Sequence, residues 1–369
     1  MNSSIEETPQ RIVVFRALML GDVLCAVPAL RALRAGYPSA EITLVGLPWA
    51  RALVHRLSHL IDDFIVFPGH PAFPEGECNV RAWPDFLAQV HARRFDLAIQ
   101  LHGSGVIANP LVSTFGARQL AGFAGPDAWV PADDSDLFCP WPESGHEIER
   151  LLRLTDHLGL PRQGTALEFP LDDGDRQQLQ ALWPDARGGR PYVCVHAGAQ
   201  LPSRRWHPRR FAEVGDALAE RGYTVVLTGS QAETGLVGDV AACMQHAPLN
   251  LCGHTTLWTL GALIEGAAAV VCNDTGVSHV AAALGKDSVV ISCGSDPTRW
   301  APLDRARHRV LAHAVPCRPC KHVNCPTAHE CANAIDAPQV LRWIPTLRVR
   351  SARKASPSVA GGAASVATA

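Results

Sequence analysis

Short apolar runs recur along the chain, and each leads into a glycine-containing loop and then a stretch with helical spacing. RIVVFR (11–16) is followed by such a loop and a helical stretch over 22–35. EITLVG (41–46) comes next, with a helical pattern from Trp49. FIVF (64–67), DLAIQL (96–101) and QLAGF (119–123) continue the series, and helical patterns lie near 83–93 and 146–159. Short apolar runs bounded by turn residues predict buried strands. Strands that alternate with helices predict a parallel sheet covered on both faces.

The pattern then pauses and restarts. Pro, Gly and Asp are concentrated between 160 and 190, in LPRQG, PLDDGD and RGGRP. YVCVHAG (192–198) opens a second series, a helix is expected over 208–221, and YTVVLTG (223–229), LNLCG, AAAVVC and DSVVISC supply further strands. The chain therefore divides into an N-terminal α/β domain over 1–165, a linker over 166–190 and a C-terminal α/β domain over 191–349. The last segment, 350–369, is rich in Ala, Ser and Gly and is expected to be disordered.

Two open sheets in tandem create a cleft between their carboxyl ends, where ligands of such sheets bind. Four loops at those ends carry polar groups. In RALMLGDVLCAVPALRALR (16–34), Asp22 lies near the first turn of a helix, where an acid is also an ordinary partner of the helix dipole. In HAGAQLPSRRWHPRRFAEV (196–214), Ser203, Arg204 and Arg205 precede a helix start. They suit an anionic group such as phosphate, or form a solvated basic turn. In LTGSQAETG (227–235), Ser230 and Glu233 also have the spacing of a capping box. In VVCNDTGVSHVAAALG (270–285), Asp274 and Thr275 are expected to cap a helix, Gly276 lets a ligand approach the backbone, and His279 lies one turn in.

Composition narrows the classes. The 369 residues are 47% hydrophobic and carry a net charge of −2, without the basic surplus of a dedicated nucleic-acid binder. No apolar run approaches the ~20 residues that span a bilayer, and MNSSIEETPQ has no secretory core, so a cytoplasmic protein is expected. Neither a G-x-x-x-x-G-K-[ST] loop nor a G-x-G-x-x-G turn after the first strand is present, which disfavours P-loop NTPases and nicotinamide dehydrogenases. Of twelve cysteines, four cluster as Cys317, Cys320, Cys325 and Cys331. This spacing suggests structural zinc or an iron–sulfur cluster before disulfides, and reduced thiols packing a loop is the other reading.

In order along the chain, GDVLCAVPALRALRAGYPSAEITLV, FDLAIQLHGSG, HAGAQLPSRRWHPRRFAEV, NDTGVSHVAAALGK and DPTRWAP closely resemble glycosyltransferase family 9, the ADP-heptose:lipopolysaccharide heptosyltransferases, over most of 11–345. The resemblance implies a GT-B fold, two Rossmann-like domains with parallel sheets facing across a cleft. It implies an inverting transfer of a heptose from a nucleotide diphosphate donor, ADP-heptose by family default, to a lipopolysaccharide core or similar glycan acceptor, with no metal cofactor required. Asp22 matches the catalytic base and Arg16 a basic position beside it. Ser203, Arg204 and Arg205 match the loop that would bind the diphosphate. Asp274, Thr275, Gly276 and His279 match the phosphate- and sugar-binding turn, and Glu233 a nucleoside contact. His102 is assigned to the acceptor side. The loop Ala17-Leu18-Met19-Leu20 departs from the hydroxyl residues often found there in the family. The cysteine segment resembles one carried by many relatives, so a metal held there would be structural. The partners implied are a nucleotide-sugar donor and a glycolipid acceptor at the inner membrane face, with Arg31, Arg34, Arg93 and Arg94 as a candidate basic rim for peripheral contact. A different donor sugar, another GT-B activity such as epimerase or phosphorylase, and a silent sugar-nucleotide-binding protein are the competing readings.

Overall fold

The computed structural model describes residues 7–347, so the tail expected at 350–369 lies outside the described residues. Two six-stranded parallel sheets form the scaffold. The first contains β1 (Arg11–Phe15), β2 (Glu41–Gly46), β3 (Asp63–Val66), β4 (Leu97–Gln100), β5 (Gln119–Ala124) and β6 (Phe138–Pro140), in the order β3-β2-β1-β4-β5-β6. The second contains β7 (Tyr192–His196), β8 (Thr224–Thr228), β9 (Leu249–Asn250), β10 (Ala269–Asn273), β11 (Ser288–Ser292) and β12 (His308–Ala312), in the order β12-β11-β10-β7-β8-β9. Counted from its own first strand, each sheet runs 3-2-1-4-5-6, the doubly wound order whose switch point lies beside strand one.

The helices of the first half are α1 (Leu20–Gly36), α2 (Ala50–Arg56), α3 (Trp83–Ala92), α4 (Ala108–Ser113) and α5 (Glu147–His157). Those that follow are α6 (Asp173–Leu182), α7 (Pro208–Glu220), α8 (Thr234–Cys243), α9 (Leu257–Gly266), α10 (Gly276–Ala283), α11 (Pro297–Trp300), α12 (Glu330–Asn333) and α13 (Ala337–Leu341).

The central strands read as continuous apolar runs because both faces are covered. In β1, Ile12 and Val14 face one core while Val13 and Phe15 face another, following the two-residue side-chain period. In β7, Tyr192 and Cys194 join the core of Ile12 and Val14, and Val193 and Val195 face a third. One apolar core thus runs between the domains, through α1, α5 and α10.

The segment 166–190, expected as a linker, carries α6. Asp172 and Asp175 form its capping box, and Arg176 pairs with Glu265 of α9 at 2.7 Å. The edge strands β6 and β12 were not anticipated. FCP is only three residues long, and HRVLA places His308 and Arg309 among its apolar positions, which masks a strand pattern.

The candidate basic rim takes a different form. Arg31 pairs with Glu168, Arg34 with Asp62, and Arg93 with Glu41 and Asp63. Those three guanidiniums are engaged with carboxylates rather than presented to a lipid surface.

Candidate active site

In the N-terminal half the site grows from the carboxyl ends of β1 and β4, the switch point of the first sheet. Arg16 leaves β1 fully buried. Its Nε donates to the carbonyl of Asp22 at 2.8 Å, its Nη1 donates to the Leu101 carbonyl, and its Nη2 lies 3.3 Å from Glu147 Oε1. These bonds pin the start of α1 against the end of β4. Met19 precedes that helix and supplies no side-chain cap.

Asp22 sits in the first turn of α1, one turn inside the cap position. Its carboxylate lies deep among protein atoms yet keeps access to solvent. Burial pushes its pKa from 3.8 up to about 6, against the lowering pull of Arg16 and Arg299 and with smaller pushes from Glu147 and Glu75. A carboxylate held near neutrality in a cleft has the properties of a general base.

His102 follows β4. It stacks on Phe15 with centroids 4.9 Å apart and lies 4.4 Å from the Phe73 ring, and its Nδ1 accepts from the Ala17 amide at 3.3 Å. Burial, aided by Arg16, lowers its pKa to about 3. It stays neutral, and its Nδ1 is spent on the loop that leads to Asp22.

In the C-terminal half the corresponding point lies between β7 and β10. Asn273 ends β10 fully buried; its Oδ1 accepts from the Trp206 amide at 3.0 Å and its Nδ2 donates to the Ala197 carbonyl at 2.7 Å. One side chain thereby ties both ends of the loop between β7 and α7 to the end of β10. Thr275 caps α10 by accepting from the Val277 amide. Asp274, expected to share that capping, turns instead to accept from the Ser295 hydroxyl. Burial raises its pKa, opposed by Ser295, Arg204 and Arg318.

His279 lies buried on α10 with Nδ1 3.6 Å from Cys25 Sγ of α1, and burial lowers its pKa to about 4. The two domains meet here. A Cβ on Gly21 would stand 2.7 Å from His279 Cδ2, and one on Gly276 would stand 3.2 Å from Leu20. The first turns of α1 and α10 abut through glycines, so Asp22 and the Thr275–Gly276 turn are brought to one place.

The loop after β7 carries the arginines. Arg204 donates from Nη2 to the Cys320 carbonyl at 3.3 Å, while its buried Nε has no partner among the described residues. Arg205 donates to the Ala199 carbonyl at 2.9 Å. Ser203 is buried, and its hydroxyl donates to the His322 carbonyl at 2.6 Å, so its hydrogen is committed within the protein. Glu233 accepts from the Ser230 amide at 2.7 Å in a capping box, and its carboxylate lies where a Cβ on Gly198 would be.

The expectation of zinc or an iron–sulfur cluster finds no support among the described residues. Cys317, Cys320, Cys325 and Cys331 are free thiols around a pocket of about 260 Å³. Cys331 is packed into the core with Ala332 and Ile335, and Cys325 Sγ lies 3.4 Å from the Thr327 hydroxyl. Among the described residues no group of three or more His, Cys, Asp or Glu is arranged to hold a metal ion. The segment has another task, for it ties down the arginine loop. His322, Val323 and Cys320 accept from it, and His329 Nε2 lies 2.8 Å from the Ser203 carbonyl.

Two residues of the site escaped the sequence reading. Glu147 looks like any acid in a first helical turn, and Arg299, in DPTRWAP, like any exposed arginine. Their importance lies in pairing over a sequence distance of 152 residues.

The chain matches the family model of glycosyltransferase family 9 (heptosyltransferase) over residues 85–330. It is 28% identical over 318 residues to lipopolysaccharide heptosyltransferase 2 of Escherichia coli K12, covering 79% of this chain and 85% of that protein. Among solved structures it resembles a family 9 glycosyltransferase of Veillonella parvula, with a TM-score of 0.76 at 21% identity over 93% of this chain and 98% of that one. It also resembles E. coli ADP-heptose lipopolysaccharide heptosyltransferase II, with a TM-score of 0.71 at 23% identity over 90% of this chain and 96% of that one. The two facing sheets are therefore those of a GT-B glycosyltransferase, and the chain belongs to glycosyltransferase family 9.

Proposed function

We propose that this enzyme transfers a heptose from ADP-heptose to the core of a lipopolysaccharide, with inversion at the anomeric carbon. The observation that carries this reading is the placement of Asp22. Its carboxylate has a raised pKa and lies beside the start of α10, across the closest approach of the two domains. Asp22 takes the proton from an acceptor hydroxyl as that oxygen attacks the sugar. The leaving diphosphate is held from the other side by the Thr275–Gly276 turn at the positive end of α10 and by Arg204, whose buried Nε has no partner among the described residues. Glu233 beside Gly198 is assigned to the nucleoside end. His279, neutral and wedged against Gly21, shapes the floor between donor and base rather than carrying charge.

The relatives that bear the name lipopolysaccharide heptosyltransferase support the sugar and the acceptor class. A glycolipid acceptor puts the enzyme at the cytoplasmic face of the inner membrane, in peripheral contact with it. No helix among the described residues is long and apolar enough to cross a membrane. No step of this mechanism calls for a metal.

A single purified pair of proteins tests the reading. The wild type should gain thermal stability with ADP or ADP-heptose and release ADP in the presence of a lipopolysaccharide core acceptor. Asp22→Asn should keep that stabilisation while turnover falls by about 10²–10⁴-fold, the range of a general base. Selective stabilisation by UDP or GDP would point to another donor. Near-normal turnover in Asp22→Asn would remove the base assignment.

A further inference from the structure

Glu147 begins α5 almost wholly buried, and three guanidiniums converge on it. Arg16 of the N-terminal domain reaches its Oε1 at 3.3 Å. Arg299, from α11 of the C-terminal domain, reaches its Oε2 at 2.8 Å, and Arg150 lies 3.6 Å from the same oxygen. Arg16 also holds the Asp22 carbonyl, as described above. Arg299 lies over the ring of Trp300 at 4.6 Å, and Trp300 stands edge-on to His279 with centroids 6.5 Å apart. The preceding residue, His146, spans the same gap, since its Nε2 lies 2.7 Å from the Ala301 carbonyl. Two consecutive residues thus join the domains through polar contacts and support the arginine that holds the base-bearing turn.

We propose that Glu147 is a positioning residue for sugar transfer, which couples closure of the cleft to the placement and protonation of Asp22. The inference rests on the reading of Asp22 as the base. With the domains together, Arg299 and Arg16 share one carboxylate. Burial opposes ionisation of Glu147, but the two arginines overcome it and leave its pKa below the usual carboxylate range. Its fixed negative charge takes up part of the field of Arg16 and Arg299, which would otherwise draw the pKa of Asp22 down. When the domains part, Arg299 leaves with its own half. Arg16 then loses the partner's share of that arrangement, and the start of α1 loses its brace. The base is therefore assembled only when the donor half has closed. A buried carboxylate among arginines is costly to build for stability alone, whereas this role gives it a task.

The charged groups facing Asp22 are Arg16 from the end of β1, Glu147 from α5, Arg299 from α11 and Glu75 from the loop after β3. Their signs set the test. In Glu147→Gln the two arginines act on Asp22 with only the smaller push of Glu75 against them, so the acid limb of the kcat/KM–pH profile should move to lower pH by about one unit. Turnover should fall by about tenfold or more. In Arg299→Gln a lowering charge is removed, so the limb should move to higher pH. Arg299 is one-third exposed, so this variant should fold even where Glu147→Gln does not. The double variant should lose little more activity than Glu147→Gln, because both act through one contact. A lowered melting temperature with an unmoved acid limb in both variants would overturn the proposal, as would simply additive losses. If Asp22→Asn keeps turnover, the base assignment fails by itself, whatever these variants do.

Discussion

Asp22 and Glu147 share the Arg16 guanidinium and ionise in opposite senses. Asp22 is raised to about 6 because burial outweighs its charged neighbours, while Glu147 is lowered because direct ion pairs outweigh burial. Carboxylates driven apart in this way mark which one exchanges a proton and which one stays charged. The raised pKa has a consequence for stability. Between pH of about 4 and about 6 the folded protein keeps a proton on Asp22 that the unfolded chain has released, so rising pH costs stability across that window and not above it. Asn at this position does not titrate. The melting temperature of Asp22→Asn minus that of the wild type should therefore grow from pH 4 to pH 6 and level off by pH 7. Melting curves of both proteins across that range check this, and a constant difference would contradict it. Asp22 stood out as a candidate because GD at a helix start follows the first strand, although the same position suits an ordinary partner of the helix dipole, and the role of base came from the family resemblance. Glu147 and Arg299 were not, since an acid in a first turn and an arginine beside an aromatic carry no local sign of a partner 152 residues away.

At the scale of elements, the strands with apolar runs and the helices with clean spacing appeared where expected: β1, β7 and β10 among the strands, α3, α5 and α7 among the helices. What stayed hidden were elements whose identity comes from tertiary pairing. β6 and β12 exist because an edge was available, and α6 because α9 offered a face. The arginine loop of residues 201–205 belongs to this class too. The cysteine-rich segment supplies its anchors, so its shape is written partly in residues 320–329. Because the Arg204 side chain makes a single hydrogen bond among the described residues, Arg204→Ala should leave the fold nearly intact. It should weaken ADP binding by about 10- to 100-fold, the loss of a charge-assisted bond of ~1.5–3 kcal/mol. Calorimetric titration with ADP beside a melting curve decides it. Unchanged affinity would take Arg204 out of the diphosphate site.

On the scale of the whole molecule, the two sheets repeat one strand order and aim their switch points at each other. The repeat explains why candidate loops could be chosen from sequence: in each half, the loops after the first and fourth strands lie at the switch point of the sheet. The division of labour follows from the sequence that fills each copy. The first half places an acid at its opening helix; the second places a threonine cap, a glycine and an arginine loop. The halves are joined by an apolar core that runs between them and by the polar contacts of His146 and Glu147. The basic rim expected on the outer surface is largely neutralised by ion pairs, so Arg31, Arg34 and Arg93 do not present free charge to an anionic bilayer.

Cys25 sits behind the place where the two helix ends touch, its thiol closed in by His279 of the opposite domain and its pKa pushed far up by burial. A thiol in that state is nearly inert. It becomes reactive only when the wall formed by the other domain moves away, which makes the cysteine a clock for cleft opening. Peptide-resolved labelling with a small alkylating reagent should be slow at Cys25, and slower again with ADP or ADP-heptose bound. It should be faster in Arg299→Gln, which loses one of the ties between the halves. Labelling at Cys25 as fast as at the exposed Cys317 would mean that the junction spends most of its time apart.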